Sequence, residues 1–411
     1  MSHYAVLVVG EDIDGQMAPY HEFECTGEDD QYVQDIDVTE KARLEYEKDT
    51  ETRVKSPSGK LTTMFTKKGN YKKRFLRDPT PEEIKENGQM IGGGGNGKIS
   101  WTSTDLGDGK GYRTQIIEMP KGWERVEVPS SETVPFAEWI EGYYGHKVVP
   151  HGKKPDLKGT HKFGYTLVTK MGEVIKTINR TNPNHKWDGY CVGGRARGFF
   201  KLKAEAVAAG AGTLGRIPLM AQYDPTYEAV GVDRADQALK GEIDIEGMRQ
   251  EAGDAAAKLY DRFHRILAKN PGYQIFDELL AKHGIPKYDD DAPELTDEEE
   301  EAREKAVDAV RKEYNAQPGA RALQADKDFK WMWHGFSEFN VSRDEYILTA
   351  RDRAFTTFAV VKDGKWYEKG HMGWFAIVSD AKEQDDWNKE FNAIVDSLPD
   401  DTLLTVVDCH T

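Results

Sequence analysis

Long apolar runs are missing from this chain. No stretch approaches the roughly 18–20 consecutive apolar residues of a membrane span, and the apolar fraction of the 411 residues is 38%. Cysteine is scarce: Cys25, Cys191 and Cys409 are odd in number and far apart, so they imply no disulfide framework and fit a reducing compartment. Positive charge is also short. Fifty-six Lys and Arg face 72 Asp and Glu, a formal balance of −16. Long-range repulsion then argues against a general nucleic-acid coat or an anionic membrane as partner. The opening MSHYAVLVVGED has no basic leader, and its apolar run Tyr4 to Val9 is shorter than a signal-peptide core. The expectation is a soluble cytoplasmic protein.

What is present is bulky core material, with 9 Trp, 18 Tyr and 16 Phe, in a chain long enough for two or three folding units. His3 to Val9 is a continuous run rich in β-branched and aliphatic residues, as in a strand buried on both faces. Residues 20–33 alternate polar and aromatic. Pro57-Ser58-Gly59 divides a hairpin over 54–65, and GYTLVTK, Met171-Gly172, EVIKTI predicts another over 163–178. After residue 203, AEAVAAGAGTLG is low in side-chain mass and reads as a mobile connection. From Asp244 the period changes to three and four residues, predicting a long amphipathic helix that ends near Asn270-Pro271-Gly272. A second helix follows, and Thr296 with Glu299 makes a capping box after an acidic run. The last third predicts two strands around Asp363-Gly364, a third strand, a helix striped by Trp387, Phe391, Ile394, Val395 and Leu398, and a buried terminal strand.

The predicted class is therefore α+β: a mixed β-sheet using both chain termini, drawn from residues 1–35, 160–203 and 345–411, with a helical insertion or subdomain. The corresponding division is an N-terminal α+β part over 1–203, a mainly helical segment over 204–325, and a C-terminal β-β-α-β part over 326–411 that packs on the N-terminal sheet.

Positive charge concentrates in one place. Residues 180–203, RTNPNHKWDGYCVGGRARGFFKLK, hold Arg180, Lys186, Arg195, Arg197, Lys201 and Lys203 against a single acid, Asp188. Gly193-Gly194 would let a ligand approach backbone amides, Trp187 and Tyr190 would supply apolar walls, and the guanidinium forks of Arg195 and Arg197 suit phosphate or carboxylate. Lys186, Trp187, Asp188, Tyr190, Gly193, Gly194, Arg195 and Arg197 are the candidate ligand-binding residues. The competing reading is a tight hairpin whose arginines pair with the chain's own acids.

Weaker constellations remain. His3, His21, Cys25, Asp408, Cys409 and His410 are zinc-type ligands. His3, Asp408 and His410 would share an ion if the terminal strands are adjacent, although no CxxC or HExxH spacing supports a metal and satisfied or merely exposed histidines are the stronger reading. Gly92 to Lys98, GGGGNGK, matches most of a phosphate-binding loop, but Ile99 stands where a magnesium-binding Ser or Thr belongs, which favours a plain glycine turn. Asp352 between Arg351 and Arg353 reads as an ion pair closing a turn, or as a site.

The opening MSHYAVLVVGED, the YHEFECTG segment, NPNHKWDGYCVGGRARGFF and the C-terminal ARDRAFTTFAVVKDGKWYEKGHMGWF through DDTLLTVVDCHT together resemble an uncharacterised family of bacteriophage and prophage proteins. That family reads Lys-Trp-Asp-aromatic-Tyr, then Gly-Gly-Arg-Trp. Lys186, Trp187, Asp188, Tyr190, Gly193, Gly194 and Arg195 are kept; Gly189 and Ala196 depart, where the family tends to be aromatic. The resemblance implies a viral or mobile-element accessory protein and brings no activity with it.

The functional expectation is a phage-type accessory protein that binds an anionic small molecule, a nucleotide above all, in a counter-defence role in the host cytoplasm. Two alternatives stand beside it. One is a metal-dependent phosphoester hydrolase; the other is an acidic protein–protein inhibitor of a host factor. The sequence names no cofactor and no catalytic residue.

Overall fold

The computed structural model describes residues 2–63, 76–83, 100–105, 112–218, 229–286, 296–330, 336–373 and 377–411. The glycine loop at 92–98 and the first part of the acidic run, 289–295, lie outside them. The chain forms two compact units, Met1–Glu28 with Asn184–Thr411, and Asp29–Pro183. Among the described residues, no helix is long and apolar enough to cross a membrane.

The first unit is built on a six-stranded mixed sheet with both chain ends at its centre. Its path runs Gly189–Val192, Leu403–His410, His3–Val9, Ala359–Lys362, Lys365–Glu368, with Gln237–Leu239 also pairing to the C-terminal strand. The two terminal strands are antiparallel from His3↔His410 to Val9↔Leu404, and His3–Val9 runs parallel to Ala359–Lys362. Both faces of the N-terminal strand are covered, which is why it is apolar at nearly every position. Leu7 and Val9 join Val360, Leu404 and Val406 beneath Trp387, Phe391 and Val395 of the helix Gln384–Asp396. Tyr4, Val6 and Val8 join Ala359, Val361, Val407 and Cys409 beneath Met17 and Trp187. Each fully buried large side chain contributes about 1.5–3 kcal/mol, enough to fix the order of the central strands. The turn at Asp363-Gly364 has positive φ at both residues, +51° and +69°, as the two-residue hairpin requires.

The helical block belongs to this same unit. Ile245–Ala268 is capped by the Asp244 side chain, which accepts from the amide of Gly247. Asp297–Ala316 begins at the Thr296–Glu299 capping box, whose reciprocal bonds are both made. Phe263, Leu279, Val310, Tyr314, Leu323, Phe329, Phe336 and Phe339 form its own core.

The second unit holds a four-stranded sheet in the order Gln34–Asp37, Val174–Thr181, Gly164–Val168, Lys147–Val149, and two three-stranded sheets. Buried Arg180 is held there by Asp29 and Asp35, at 2.9 Å each.

Three expectations need correction. The compact units divide at 28/29 and 183/184, not at 203 and 325. The strands at 34–37, 164–168 and 174–181 form their own sheet and do not extend the one built from the termini. Alternation marks a strand but not its partner. The stretch after residue 203 is tied down: Ala204–Ala208 is a helix that buries Ala206, and Thr213 bridges Gln237. Gly212, at φ +74°, presses so close that a Cβ would lie 2.8 Å from that of Ala235. Small residues serve close packing here.

Candidate functional site at the sheet end

Residues 186–188 run beside residues 20–22. The amide of Lys186 donates to the Tyr20 carbonyl at 2.8 Å, that of Glu22 to the Trp187 carbonyl at 2.7 Å, and that of Asp188 to the His410 carbonyl at 2.9 Å. The chain then enters the strand Gly189–Val192, in register with Gly189↔His410 and Cys191↔Asp408. Because directly opposed residues share a face, His3, His410 and Gly189 line up across one face at the sheet end, followed by Ala5, Asp408 and Cys191.

Past Val192 the chain turns through Gly193 and Gly194, at φ +80° and +56°. Two buried aspartates clamp this turn. Asp408 accepts from the amide of Arg195 at 2.9 Å, and Asp236 accepts from the amides of Gly198 and Gly215. A Cβ at Gly193 would come 2.5 Å from an Asp236 oxygen, and one at Gly194 would come 2.5 Å from an Asp408 oxygen. The glycines are therefore required by the protein's own carboxylates. Their amides are also spent, that of Gly193 on the Val406 carbonyl and that of Gly194 on the Arg216 carbonyl. The expected pair of amides open to a ligand is not there.

Most of the concentrated charge is answered internally as well. Lys186 pairs with Glu368 at 2.6 Å, Lys201 with Glu251, and Arg197 donates to the Gly215 carbonyl. Lys203 donates to the Gly241 carbonyl at 2.7 Å. Trp187 is buried with its indole N–H on the Met17 carbonyl, and Tyr190 stacks edge-on against it with its hydroxyl on Asp14. Neither ring is an open ligand wall. Arg195 differs. Its side chain is exposed, and among the described residues no carboxylate pairs with it. Arg216 is in the same condition; it follows directly after the stretch 204–215 read as a connection and carries no motif of its own. Its backbone bonds to Val192 and Gly194 place it beside the turn, and its charge reaches the Cys191 thiol.

Two aspartate–histidine pairs complete the sheet end. His3 Nδ1 lies 3.0 Å from Asp408 Oδ1, so Asp408 is held at both oxygens. His410 turns Nδ1 to a carboxylate oxygen of Asp188, and both atoms are shielded from solvent with no other hydrogen-bond partner among the described residues. The two imidazole rings are 5.4 Å apart between centroids. The terminal strands are thus adjacent, yet the shared ion expected on His3, Asp408 and His410 is not supported: their ligand atoms do not form a group within 4.8 Å among the described residues. Among the described residues, the metal-ligand types that converge within 4.8 Å are instead Glu22, Cys25 and Asp188. His21 is buried elsewhere, on the hydroxyl of Thr26.

The thiols are held in their protonated form. Burial pushes Cys25 up, with Glu22 and Asp188 adding to it; burial and Asp408 push Cys191 up against the pull of Arg216; and fully buried Cys409 lies well above the usual range. A cleft of about 490 Å³ elsewhere in the unit is lined by Lys186, Lys369 and Lys382 with Glu368 and Glu390. Its lysines are occupied by Glu368, Gln384 and Glu390. Arg351 meanwhile reaches Glu246 and Gln250 rather than Asp352.

No family model, curated protein or solved structure matches the chain.

Proposed function

We propose that the chain binds an anionic small molecule, a nucleotide or similar phosphate ester, at Arg195 and Arg216 beside His3 and His410. One observation carries this reading: the contrast in pairing. In a chain of net charge −16, the other basic side chains of residues 180–203 meet a carboxylate or carbonyl of the protein. Arg195 and Arg216 stay exposed without one among the described residues. Guanidinium groups left open in acidic surroundings are suited to forked contacts with phosphate. With the resemblance to phage and prophage proteins, this favours capture of a host nucleotide in the host cytoplasm as the counter-defence role.

The test is calorimetric titration at low salt with AMP, ATP and a 3′,5′-cyclic nucleotide. Saturable binding to the intact chain, lost in an Arg195→Ala/Arg216→Ala double variant and kept in Lys389→Ala, supports the reading. Failure of every anion to bind, or equal binding by the double variant, removes it.

A further inference from the structure

The two aspartate–histidine pairs exceed what binding alone requires. A lone histidine against a carboxylate is an ordinary structural pair. Here two such pairs stand side by side on one sheet face, brought there by the register His3↔His410, with ring centroids 5.4 Å apart. A carboxylate can only accept, so in each neutral ring the proton sits on Nδ1 and Nε2 is the nitrogen that exchanges protons. Neither side chain is sealed in the core: that of His3 is 22% exposed and that of His410 35%. Asp408 is fixed at its second oxygen by the Arg195 amide. The His3 imidazole and the backbone of Arg195 are therefore anchored by the same residue. The neighbouring thiols, Cys25 and Cys191, are kept protonated and leave the imidazoles as the reactive groups.

We infer that His3 and His410 are the acid and base of a centre that cleaves the phosphodiester bond of the anion held by Arg195 and Arg216. This rests on the binding reading above. One imidazole accepts a proton through Nε2 from water as the water oxygen forms a bond to phosphorus. The other, as imidazolium, gives its proton to the leaving ester oxygen as that P–O bond breaks. Diester and water become monoester and alcohol, and the proton left on the first ring returns through solvent to the second. The guanidinium groups carry the charge that gathers on the phosphoryl oxygens. Asp408 and Asp188 are positioning residues. Gly189 is part of the arrangement, since the His410 ring occupies the space that a side chain there would need.

The experiment follows 4-nitrophenolate release from bis(4-nitrophenyl) phosphate, and cleavage of a linear dinucleotide, by the full chain in the presence of EDTA. AMP binding is measured in parallel. Turnover that falls about 100-fold or more in both His3→Gln and His410→Gln, with AMP binding retained, supports the inference. AMP binding without turnover overturns it and leaves the binding reading standing. Absence of both overturns both. Turnover abolished by EDTA, or undiminished in either glutamine variant, also overturns it. Should a glutamine variant unfold, diethyl pyrocarbonate treatment of the intact protein decides. Inactivation must then track modification of His3 and His410 and be slowed by AMP; inactivation that tracks other histidines overturns the inference.

Discussion

The imidazole of His410 lies directly over Gly189: a Cβ at 189 would stand 2.7 Å from Nε2 and 2.9 Å from Cε1. The strand partner of His410 is thus a residue whose lack of a side chain makes room for the ring. Gly189→Ala should push the ring off Asp188 and lower stability by about 1–3 kcal/mol, the usual range for overpacking. Denaturant titration, with the His410 imidazole followed by NMR, checks it. An unchanged midpoint and an unmoved resonance would mean that the space is not needed.

Gly194→Ala should be harsher. The residue sits at φ +56°, and its missing Cβ would meet both a carboxylate oxygen and the Cβ of Asp408 at 2.5 and 2.6 Å. Backbone strain and crowding together should cost at least about 2 kcal/mol. A variant as stable as the parent would show that the turn is not clamped by Asp408.

The arginines of the turn should separate by role. Arg195→Ala and Arg216→Ala should each weaken anion binding by about 1.5–3 kcal/mol, the value of a charge-assisted hydrogen bond, with little change in thermal unfolding. Arg195→Lys should recover only part, because an ammonium cannot fork. Arg197, which donates to the Gly215 carbonyl, should show the reverse pattern, with lower stability before lower affinity. Calorimetry and thermal denaturation on Arg195→Ala, Arg216→Ala, Arg195→Lys and Arg197→Ala distinguish the two patterns.

Acid sensitivity has an identifiable contributor in the helical block. Arg262 makes forked hydrogen bonds to Asp326, at 2.7–3.1 Å, and these hold the Asp326 carboxyl below its usual range although burial works against them. A carboxyl depressed in the folded state stabilises the fold above its unfolded value, near about pH 4. It loses that contribution as pH falls through the folded value. Asp326→Asn should therefore lower Tm most near neutral pH, and the gap to the parent should close towards about pH 3. A gap that is constant with pH would remove this pair from the acid response.

Much of the fold was legible in the residues. The apolar run at Tyr4–Val9 announced a strand buried on both faces, Leu403–Val407 announced a buried strand, and the three-and-four spacing after Asp244 announced the long helix. Asp363-Gly364 announced its turn. What could not be read was partnership. Nothing local in Ile36 or Thr177 says that their strands belong to a sheet apart from the one the termini build. The candidate site divided in the same way. Charge density marked residues 180–203, but it could not separate Lys186 and Arg197, which the protein satisfies itself, from Arg195, which meets no carboxylate among the described residues. Pairing of that kind depends on residues such as Glu368 and Gly215, distant in sequence or in loops. His3 and His410 were noticed for their chemistry, whereas their separate carboxylates depend on strand register. Asp236 and Arg216 carried no motif at all.

The central claim is that an anion binds at Arg195 and Arg216 beside the paired histidines. It is tested most directly by histidine-selective NMR of the intact protein during titration with AMP, ATP and a cyclic nucleotide at low salt. The account predicts saturable shifts of the His3 and His410 imidazole signals. His283, which pairs with Glu313 on the helical block, should stay in place, and the response should vanish in the Arg195→Ala/Arg216→Ala double variant. Unmoved His3 and His410 signals at millimolar ligand, or shifts that persist in the double variant, would contradict it.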